Sequence, residues 1–192
     1  MKNLNNINFI VGNKNFVKES DHPFSEQICN FLDQLSKNLI NSNKSLKHSD
    51  VMAFAFYCRK KNIINLKNKS LSLQNRKGIG LLFHITPSNI PTNFAYSLIF
   101  GLLSGNKNVI KVPSKEFPQI DIICKAITLT LKKFKSLKNF IKIIRYNGNE
   151  EFTKEISSIC DGRLIWGGNK TINKIREYPM KEISRDLSFA DR

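Results

Sequence analysis

The sequence predicts an α/β fold: an open, mainly parallel sheet with flanking helices, preceded by a short helical segment. From Gly78 onward, short apolar runs alternate with helix-like segments, and the first such unit comprises Ile79–Ile85, Asn93–Ser104 and Val109–Val112. Two strands that are joined through a helix are typical of parallel pairing. The strand-like runs are apolar almost throughout, which indicates strands that are buried on both faces.

The same alternation continues to the end of the chain. A long helix follows Ser114, which can serve as its N-cap, and the apolar positions of this helix form one stripe. The remaining predicted elements are strand Ile141–Tyr146, helix Glu150–Ser158 with Asn149 as its cap, strand Arg163–Trp166, helix Thr171–Glu177 and a strand that begins with Leu187–Phe189. These elements extend the predicted sheet to at least five strands.

The residues before Gly78 predict helices. Apolar side chains recur at helical spacing over Phe24–Leu39, and Ser49-Asp50 can cap a second helix over Val51–Lys61. Residues 1–23 are polar and rich in asparagine, which predicts a loosely ordered lead-in, whereas the segment after the second helix fits no single pattern.

A division of the chain into two parts follows from this change of pattern. We expect residues 1–77 to form an N-terminal helical segment that packs on the sheet, because this segment is too short to hold a large core alone. Residues 78–192 form the α/β domain.

Composition excludes several classes of protein. A hydrophobic content of 41% is enough for a proper core. The four cysteines lack metal-ligand spacing, so we expect free thiols, buried in the case of Cys124 and Cys160, and no metal site. No secretory leader precedes the domain, and no apolar tract is long enough to span a bilayer. We therefore expect a cytoplasmic protein.

The formal net charge of +16 allows four interpretations. A basic surface can bind nucleic acid, but the chain has 24 Lys and only 7 Arg, and Arg is the residue expected at bidentate contacts with phosphates and bases. A genome rich in adenine and thymine also produces Lys, Asn and Ile in excess. One asymmetry remains, since Val51–Lys115 contains no Asp or Glu. The positive electrostatic field of this segment would favour a phosphate-rich small ligand. The alternative is that these residues form an ordinary solvated basic face.

Several motifs resemble those of one known family. They are Thr86-Pro87-Ser88-Asn89-Ile90-Pro91, Gly105-Asn106, Lys111-Val112-Pro113-Ser114, the stretch from Asp161 to Thr171 with Trp166-Gly167-Gly168 at its centre, and the closing Ser188-Phe189-Ala190-Asp191-Arg192. In order and spacing they resemble the cofactor domain of the aldehyde dehydrogenase superfamily, and within it the LuxC-like acyl-CoA reductases. The resemblance covers about residues 78–192. It implies a cofactor-binding α/β domain and a nicotinamide cofactor.

Asn89 is the candidate catalytic residue. Prolines on both sides restrict the backbone of its turn, so its side chain is held firmly. The resemblance places here the asparagine whose amide stabilises the oxyanion of a thiohemiacetal, and donors of this kind contribute roughly 3–4 kcal/mol. An asparagine that simply satisfies a turn is the alternative.

The candidate cofactor-binding residues follow the strands. In the family, the residue that matches Lys111 contacts the adenosine ribose. Ser114 falls where relatives that prefer NAD usually carry a Glu, and Lys115 follows it. A missing carboxylate and a nearby cation suit a 2′-phosphate, which favours NADPH over NADH. Ser114 can also be a helix cap alone.

Two further segments complete the expected cofactor site. The resemblance places Ile85, Thr86, Pro87 and Ser88, where the first strand of the domain ends, beside the cofactor. Gly167 and Gly168 form a tight turn into a helix, whose backbone N–H groups can face a pyrophosphate. The resemblance places this pair near the pyrophosphate or the nicotinamide of the cofactor. This pair is not a classical dinucleotide fingerprint. His84, just before the first turn, is expected to be structural.

A nucleophile is missing from the matched motifs. In the family, a cysteine thiolate in a second α/β domain attacks the acyl thioester, and hydride from NADPH releases the aldehyde. None of Cys29, Cys58, Cys124 or Cys160 lies in a matching motif. The sequence is therefore expected to be an N-terminal part of such an enzyme.

The expected partners follow from the same resemblance. They are an acyl-CoA or acyl-protein substrate, an acyl-transferring protein and, in the complete enzyme, a second copy in a homo-oligomer, with no nucleic acid and no membrane span. The alternative is a non-catalytic basic module that binds nucleotides or nucleic acid.

Overall fold

The structure is a computed structural model that describes residues 7–16, 19–70, 75–148 and 150–190. Its strands are β1 (Asn8–Val11), β2 (Leu81–Ile85), β3 (Lys107–Lys111), β4 (Ile141–Arg145), β5 (Gly162–Gly167) and β6 (Arg185–Ala190). Its helices are α1 (Glu26–Ile40), α2 (Ser49–Tyr57), α3 (Lys60–Lys69), α4 (Asn93–Leu103), α5 (Pro118–Lys133), α6 (Glu150–Ile159) and α7 (Asn169–Arg176).

The six strands form one sheet in the order β1-β4-β3-β2-β5-β6. Strands β2 to β6 pair in parallel, and only β1 runs antiparallel, against β4. The chain first moves outward from β2 through β3 to β4 and then returns to the other side of β2 for β5 and β6. The strand order therefore reverses between β2 and β5, and ligands of open α/β sheets bind at the carboxyl ends of the strands at such a point.

Helices cover both faces of the sheet, as the sequence predicts. Helices α1, α2, α4 and α5 bury one core, which includes Phe31, Phe54, Leu98 and Ile127. Helices α6 and α7 bury a second core against the opposite face, with Phe83 and Phe152 among its members. The change of face coincides with the reversal of strand order, as right-handed crossovers require.

The segment before Glu26 corrects one expectation. Residues 1–23 were expected to be a loosely ordered lead-in, but Asn8–Val11 forms β1 at the edge of the sheet, where Phe9 lies opposite Ile144. This strand was missed because three apolar residues, Phe9-Ile10-Val11, stand within an asparagine-rich stretch. Pairing with β4, far along the chain, supplies the hydrogen bonds that define the strand.

Helix starts show two further differences. The helix after Ser114 begins at Pro118, and its N-cap position is Phe117, so Ser114 does not cap it. Proline is favoured in the first turn of a helix because its missing N–H has no partner there in any case. The expected helix Val51–Lys61 is divided, because α2 ends at Tyr57 and α3 begins at Lys60, and α3 continues into the segment that fits no single pattern. The predicted cap Asn149 lies outside the described residues.

Helix α4 approaches the sheet closely. A Cβ atom at Gly101 would lie 1.9 Å from Asn108 Oδ1 and 3.2 Å from His84 Cε1. Only glycine therefore fits at this position of the helix. The close approach fixes α4 over β2 and β3 and leaves β5 and β6 uncovered on the same face.

Candidate functional site

The carboxyl ends of β2, β3 and β5 meet at one edge of the sheet. Ile85 at the end of β2 pairs with Lys111 of β3 on one side and with Ile165 of β5 on the other. The Thr86–Pro91 turn and the Gly167-Gly168 turn leave these strands at the reversal point. The fold thus brings together three of the segments that sequence analysis singled out.

The first turn is anchored through Thr86. Its backbone N–H and its hydroxyl both donate to the Lys111 carbonyl, at 3.3 and 2.8 Å. Pro87 is buried, whereas Ser88 and Asn89 are exposed. Because Thr86 anchors the turn, the Asn89 side chain is not needed to stabilise it, and its amide can donate a hydrogen bond to a ligand.

Lys111 is a desolvated cation. Its ammonium lies 5.0 Å from the centre of the Tyr146 ring, within the range of a cation–π contact. Burial lowers the pKa of Lys111, and among the described residues no carboxylate contributes to that pKa. A partly buried ammonium that has no carboxylate partner in the described ranges gains most from a polar or anionic ligand.

Ser114 has a different role in the fold from the predicted cap. Its hydroxyl donates to the Tyr146 carbonyl at 3.0 Å, and the residue is exposed at the surface. The neighbouring carboxylate, Glu116, faces Arg145 at 3.5 Å. Lys115 is exposed, with its ammonium 5.2 Å from the centre of the Phe117 ring. Ser114 and Lys115 therefore face solvent after β3, and the carboxylate that follows them, Glu116, is also exposed but lies near Arg145.

The second turn is open to a ligand. Gly167 has a φ of +154°, a conformation that favours glycine. A Cβ atom at Gly168 would meet no atom within 4 Å among the described residues. Helix α7 begins at Asn169, so its first N–H groups point toward this open space. Such a cradle admits a phosphate group close to the backbone.

His84 belongs to a buried polar network behind the first turn. Its Nδ1 lies 2.7 Å from Ser97 Oγ, and its Nε2 lies 3.0 Å from Asn108 Oδ1. The Asn108 amide N–H₂ donates to the Asn106 carbonyl at 2.8 Å, so its oxygen faces the histidine. Nε2 therefore carries the proton, and Ser97 donates to Nδ1. Burial lowers the pKa of His84 to about 4, so this histidine is neutral and structural, as predicted.

Comparison with known proteins assigns the family. A model of the family described as acyl-CoA reductase (LuxC) matches residues 59–192. The chain belongs to this family. The match covers the whole sheet except β1 and begins between α2 and α3, so the resemblance drawn from the motifs is confirmed. None of the curated proteins matches the chain.

Solved structures that resemble this LuxC-family chain include aldehyde dehydrogenases. A variant of proline utilization A from Bradyrhizobium japonicum is 15% identical with a TM-score of 0.66, over 89% of this chain and 20% of its own. An NAD-dependent benzaldehyde dehydrogenase from Corynebacterium glutamicum is 13% identical with a TM-score of 0.61, over 89% of this chain and 42% of its own.

A third similar structure is a gamma-glutamyl phosphate reductase from Thermotoga maritima, 14% identical with a TM-score of 0.58, over 83% of this chain and 47% of its own. The chain therefore spans between a fifth and about half of these proteins. At such low identity the likeness concerns the fold, and it confirms the fold class that the sequence predicts.

The cysteines of this LuxC-family chain are free, and three of the four are buried. Burial raises the pKa of the Cys124 thiol to about 12 and that of Cys160 to about 11. It also raises the pKa of the Cys58 and Cys29 thiols. Since the thiolate is the nucleophile, burial makes these thiols weaker nucleophiles than an ordinary exposed cysteine.

The described residues contain neither a candidate metal site nor a candidate membrane-spanning helix. Among them, no cluster of histidine, cysteine and carboxylate side chains could hold a metal ion. No helix in the described ranges has the length and apolar character needed to cross a bilayer.

The structure also shows residues that sequence reasoning missed. Ser97 and Asn108 complete the His84 network, and Trp166, Leu187 and Phe189 line a cavity beside α4. The alternation of apolar side chains along β5 and β6 was the available signal for the cavity. This alternation indicates that one face of β5 and β6 is apolar, but it does not indicate whether a helix covers that face.

Proposed function

We propose that this chain is the cofactor-binding part of an NADPH-dependent acyl-CoA reductase, which reduces a fatty acyl thioester to an aldehyde through a cysteine acyl-enzyme. The observation that carries the proposal is the family match over residues 59–192. The substrate is an acyl-CoA or an acyl-protein, and the reactive cysteine lies outside these 192 residues. An acyl-transferring protein and a second copy of the enzyme are its proposed partners.

The residues at the sheet edge fit a nicotinamide dinucleotide phosphate. Lys111 offers a desolvated ammonium beside β3, and the Gly167-Gly168 turn leaves room for a pyrophosphate against backbone N–H groups. Ile85, Thr86, Pro87 and Ser88 form the wall between these two positions. When bound, the cofactor supplies a hydride to the acyl carbon.

Asn89 is the proposed catalytic residue of this chain. Its exposed amide, on a turn anchored by Thr86, donates a hydrogen bond to the oxygen that gains charge as a thiol adds to the acyl carbon. A donor that is already oriented does not need to reorganise during the reaction, which is why such groups lower the barrier.

NADPH is expected to bind more tightly than NADH. Ser114 stands where a carboxylate would hold the ribose hydroxyls, and Lys115 is exposed beside it to receive a 2′-phosphate. Ser114→Glu should reverse this preference, because a carboxylate repels the phosphate and binds the free hydroxyls. Isothermal titration of both cofactors measures the two dissociation constants. Ser158→Glu, on the exposed side of α6, is the matched control, and equal constants in the unchanged protein would count against the assignment.

The chain alone is expected to reduce no acyl-CoA, because its cysteines are poor nucleophiles. Incubation with a labelled acyl-CoA and NADPH, followed by mass spectrometry of tryptic peptides, should find no acyl thioester on Cys29, Cys58, Cys124 or Cys160. Acyl label on any of these cysteines, with release of aldehyde, would show that the active site lies within the 192 residues. The proposal that the reactive cysteine lies elsewhere would then be wrong.

A further inference from the structure

We propose that Lys107 and Lys142 form a phosphate-binding site at the amino-terminal edge of the sheet, opposite the edge that carries the candidate cofactor residues. Lys107 begins β3, and Lys142 is the second residue of β4. Neither lysine belongs to the proposed cofactor site, and this inference does not depend on the proposed function.

The register of the sheet places the two lysines on one face. Lys142 pairs with Val109, which follows Lys107 by two residues, and side chains two residues apart on a strand point to the same face. A distance of about 4.8 Å between strands and a rise of about 3.3 Å per residue put the two Cα atoms about 8 Å apart. Val109 and Ile144, on this face, belong to the core under α6 and α7. Both lysines therefore stand at the border of an apolar core.

Both side chains are buried, and little negative charge lies near them. Lys142 is 1% exposed and Lys107 is 4% exposed. Lys142 Nζ has no hydrogen-bond partner among the described residues. The ammonium of Lys107 lies 3.9 Å from Glu19 Oε2, but the Glu19 side chain is 91% exposed, so water screens its charge. In the described ranges no other carboxylate forms an ion pair with either lysine. Two positive charges are therefore left largely uncompensated.

Aromatic rings lie beside both ammonium groups. Lys107 Nζ is 5.1 Å from the centre of the Phe140 ring, and Lys142 Nζ is 5.7 Å from the centre of the Phe16 ring. Such cation–π contacts stabilise part of the positive charge. An ammonium has three N–H donors, however, and an aromatic ring supplies no oxygen or nitrogen acceptor for them. Donors of both lysines therefore remain available to a ligand.

The two ammonium groups destabilise each other. Burial lowers the pKa of Lys142, and the positive charge of Lys107 lowers this pKa further. Burial also lowers the pKa of Lys107, which the Glu19 carboxylate raises in part. Like charges in apolar surroundings are costly unless one group loses its proton or an anion binds between them. An anion with two negative charges would compensate both lysines.

A phosphate group has the charge and the acceptors that this pair requires. Near pH 7 it is largely dianionic, and its oxygens can accept hydrogen bonds from both ammonium groups at once. A carboxylate carries a single negative charge and would leave one ammonium uncompensated. Lys111, four residues after Lys107 on β3, is about 13 Å away. A phosphate between Lys107 and Lys142 therefore does not reach the candidate cofactor residues.

Titration with inorganic phosphate tests the site. The chain is kept in chloride at constant ionic strength, and binding is followed by the broadening of the phosphorus NMR resonance. We expect saturable broadening and a rise in the midpoint of thermal unfolding, because a ligand that binds only the folded chain stabilises it. Acetate at the same concentrations should produce neither effect. Phenyl phosphate, as a further arm, shows whether the site takes phosphate esters as well or the free ion alone.

Removal of one cation tests the location. Lys142→Met should weaken phosphate binding at least about tenfold, because the anion loses one of its two charged partners. In chloride alone this variant should unfold at a higher temperature than the unchanged chain, since no unpaired ammonium remains at this position. Lys107→Met should weaken phosphate binding similarly. Lys61→Met, at an exposed lysine of α3, is the charge-matched control and should bind phosphate as the unchanged chain does. Circular dichroism checks the folding of each variant.

Three results would overturn the proposal. The first is equal phosphate binding by Lys142→Met and Lys61→Met. The second is a rise in the unfolding midpoint without saturable broadening, because phosphate at high concentration stabilises folded proteins in general. The third is phosphate binding that Lys111→Ala abolishes and Lys142→Met retains, which would place the ion at the cofactor edge. NADPH binding should be unchanged in Lys142→Met, so the phosphate site and the proposed cofactor role are tested independently.

Discussion

Lowering the pH from 7 to 4 should remove about 3 kcal/mol of folding stability through His84 alone. Burial lowers the pKa of His84 to about 4 in the folded chain, whereas the unfolded value is near the ordinary 6.5. Between these values the unfolded chain binds a proton that the folded chain does not. The stabilisation is therefore complete above pH 6.5, declines as the pH falls, and declines no further below about 4.

Urea denaturation at several pH values tests this expectation. His84→Gln should lack this part of the pH dependence, because no titrating group remains inside the network of Ser97 and Asn108. His22→Gln removes an exposed histidine and should retain the dependence. If His84→Gln showed the same slope of stability against pH as the unchanged chain, the buried neutral histidine would not be its source.

Arg163→Met should cost about 3 kcal/mol of folding stability, the lower end for a broken buried ion pair. Arg163 is 1% exposed and holds Asp186 of β6 through two hydrogen bonds, Nε to Oδ1 at 3.0 Å and Nη2 to Oδ2 at 2.8 Å. Its remaining Nη1 donates to the Tyr178 carbonyl at 3.5 Å. Loss of the arginine leaves the Asp186 carboxylate without its partner and loosens β6.

A double variant separates the ion pair from the packing. Arg163→Met with Asp186→Leu should recover part of the lost stability, because apolar residues replace both charges. Arg185→Met replaces an exposed arginine of β6, next to Asp186, and should change the folding stability little. A single Arg163→Met variant as stable as Arg185→Met would show that this pair does not hold β6 in place.

The parts of the fold that depend on local pattern could be predicted from the sequence. Strands β2 to β5 are short apolar runs between helical segments, and each is found within two residues of its expected start. Burial on both faces leaves a signal that needs no knowledge of distant partners. The Lys111, Gly167 and Asn89 segments follow these strands, so their common edge could be expected as well.

The parts that depend on distant pairing could not be predicted. Strand β1 exists through its pairing with β4, more than a hundred residues later. His84 meets Ser97 only when α4 has packed on the sheet, and it meets Asn108 only when β2 and β3 have paired, at sequence separations of 13 and 24. Ser114 has cap chemistry, yet Pro118 sets the helix start and the Tyr146 carbonyl takes the serine hydroxyl.

Hydrogen exchange of the chain with and without NADPH tests the central claim most directly. The account predicts saturable binding with slower exchange at residues 85–88, 111–115 and 167–170, and unchanged exchange over the basic helix α3. Lys111→Ala should weaken this protection without altering the circular dichroism spectrum, and 2′-phospho-AMP should compete. Protection spread over α3 and abolished by moderate salt, or no saturable protection at the sheet edge, would contradict the account and favour a basic module without a cofactor site.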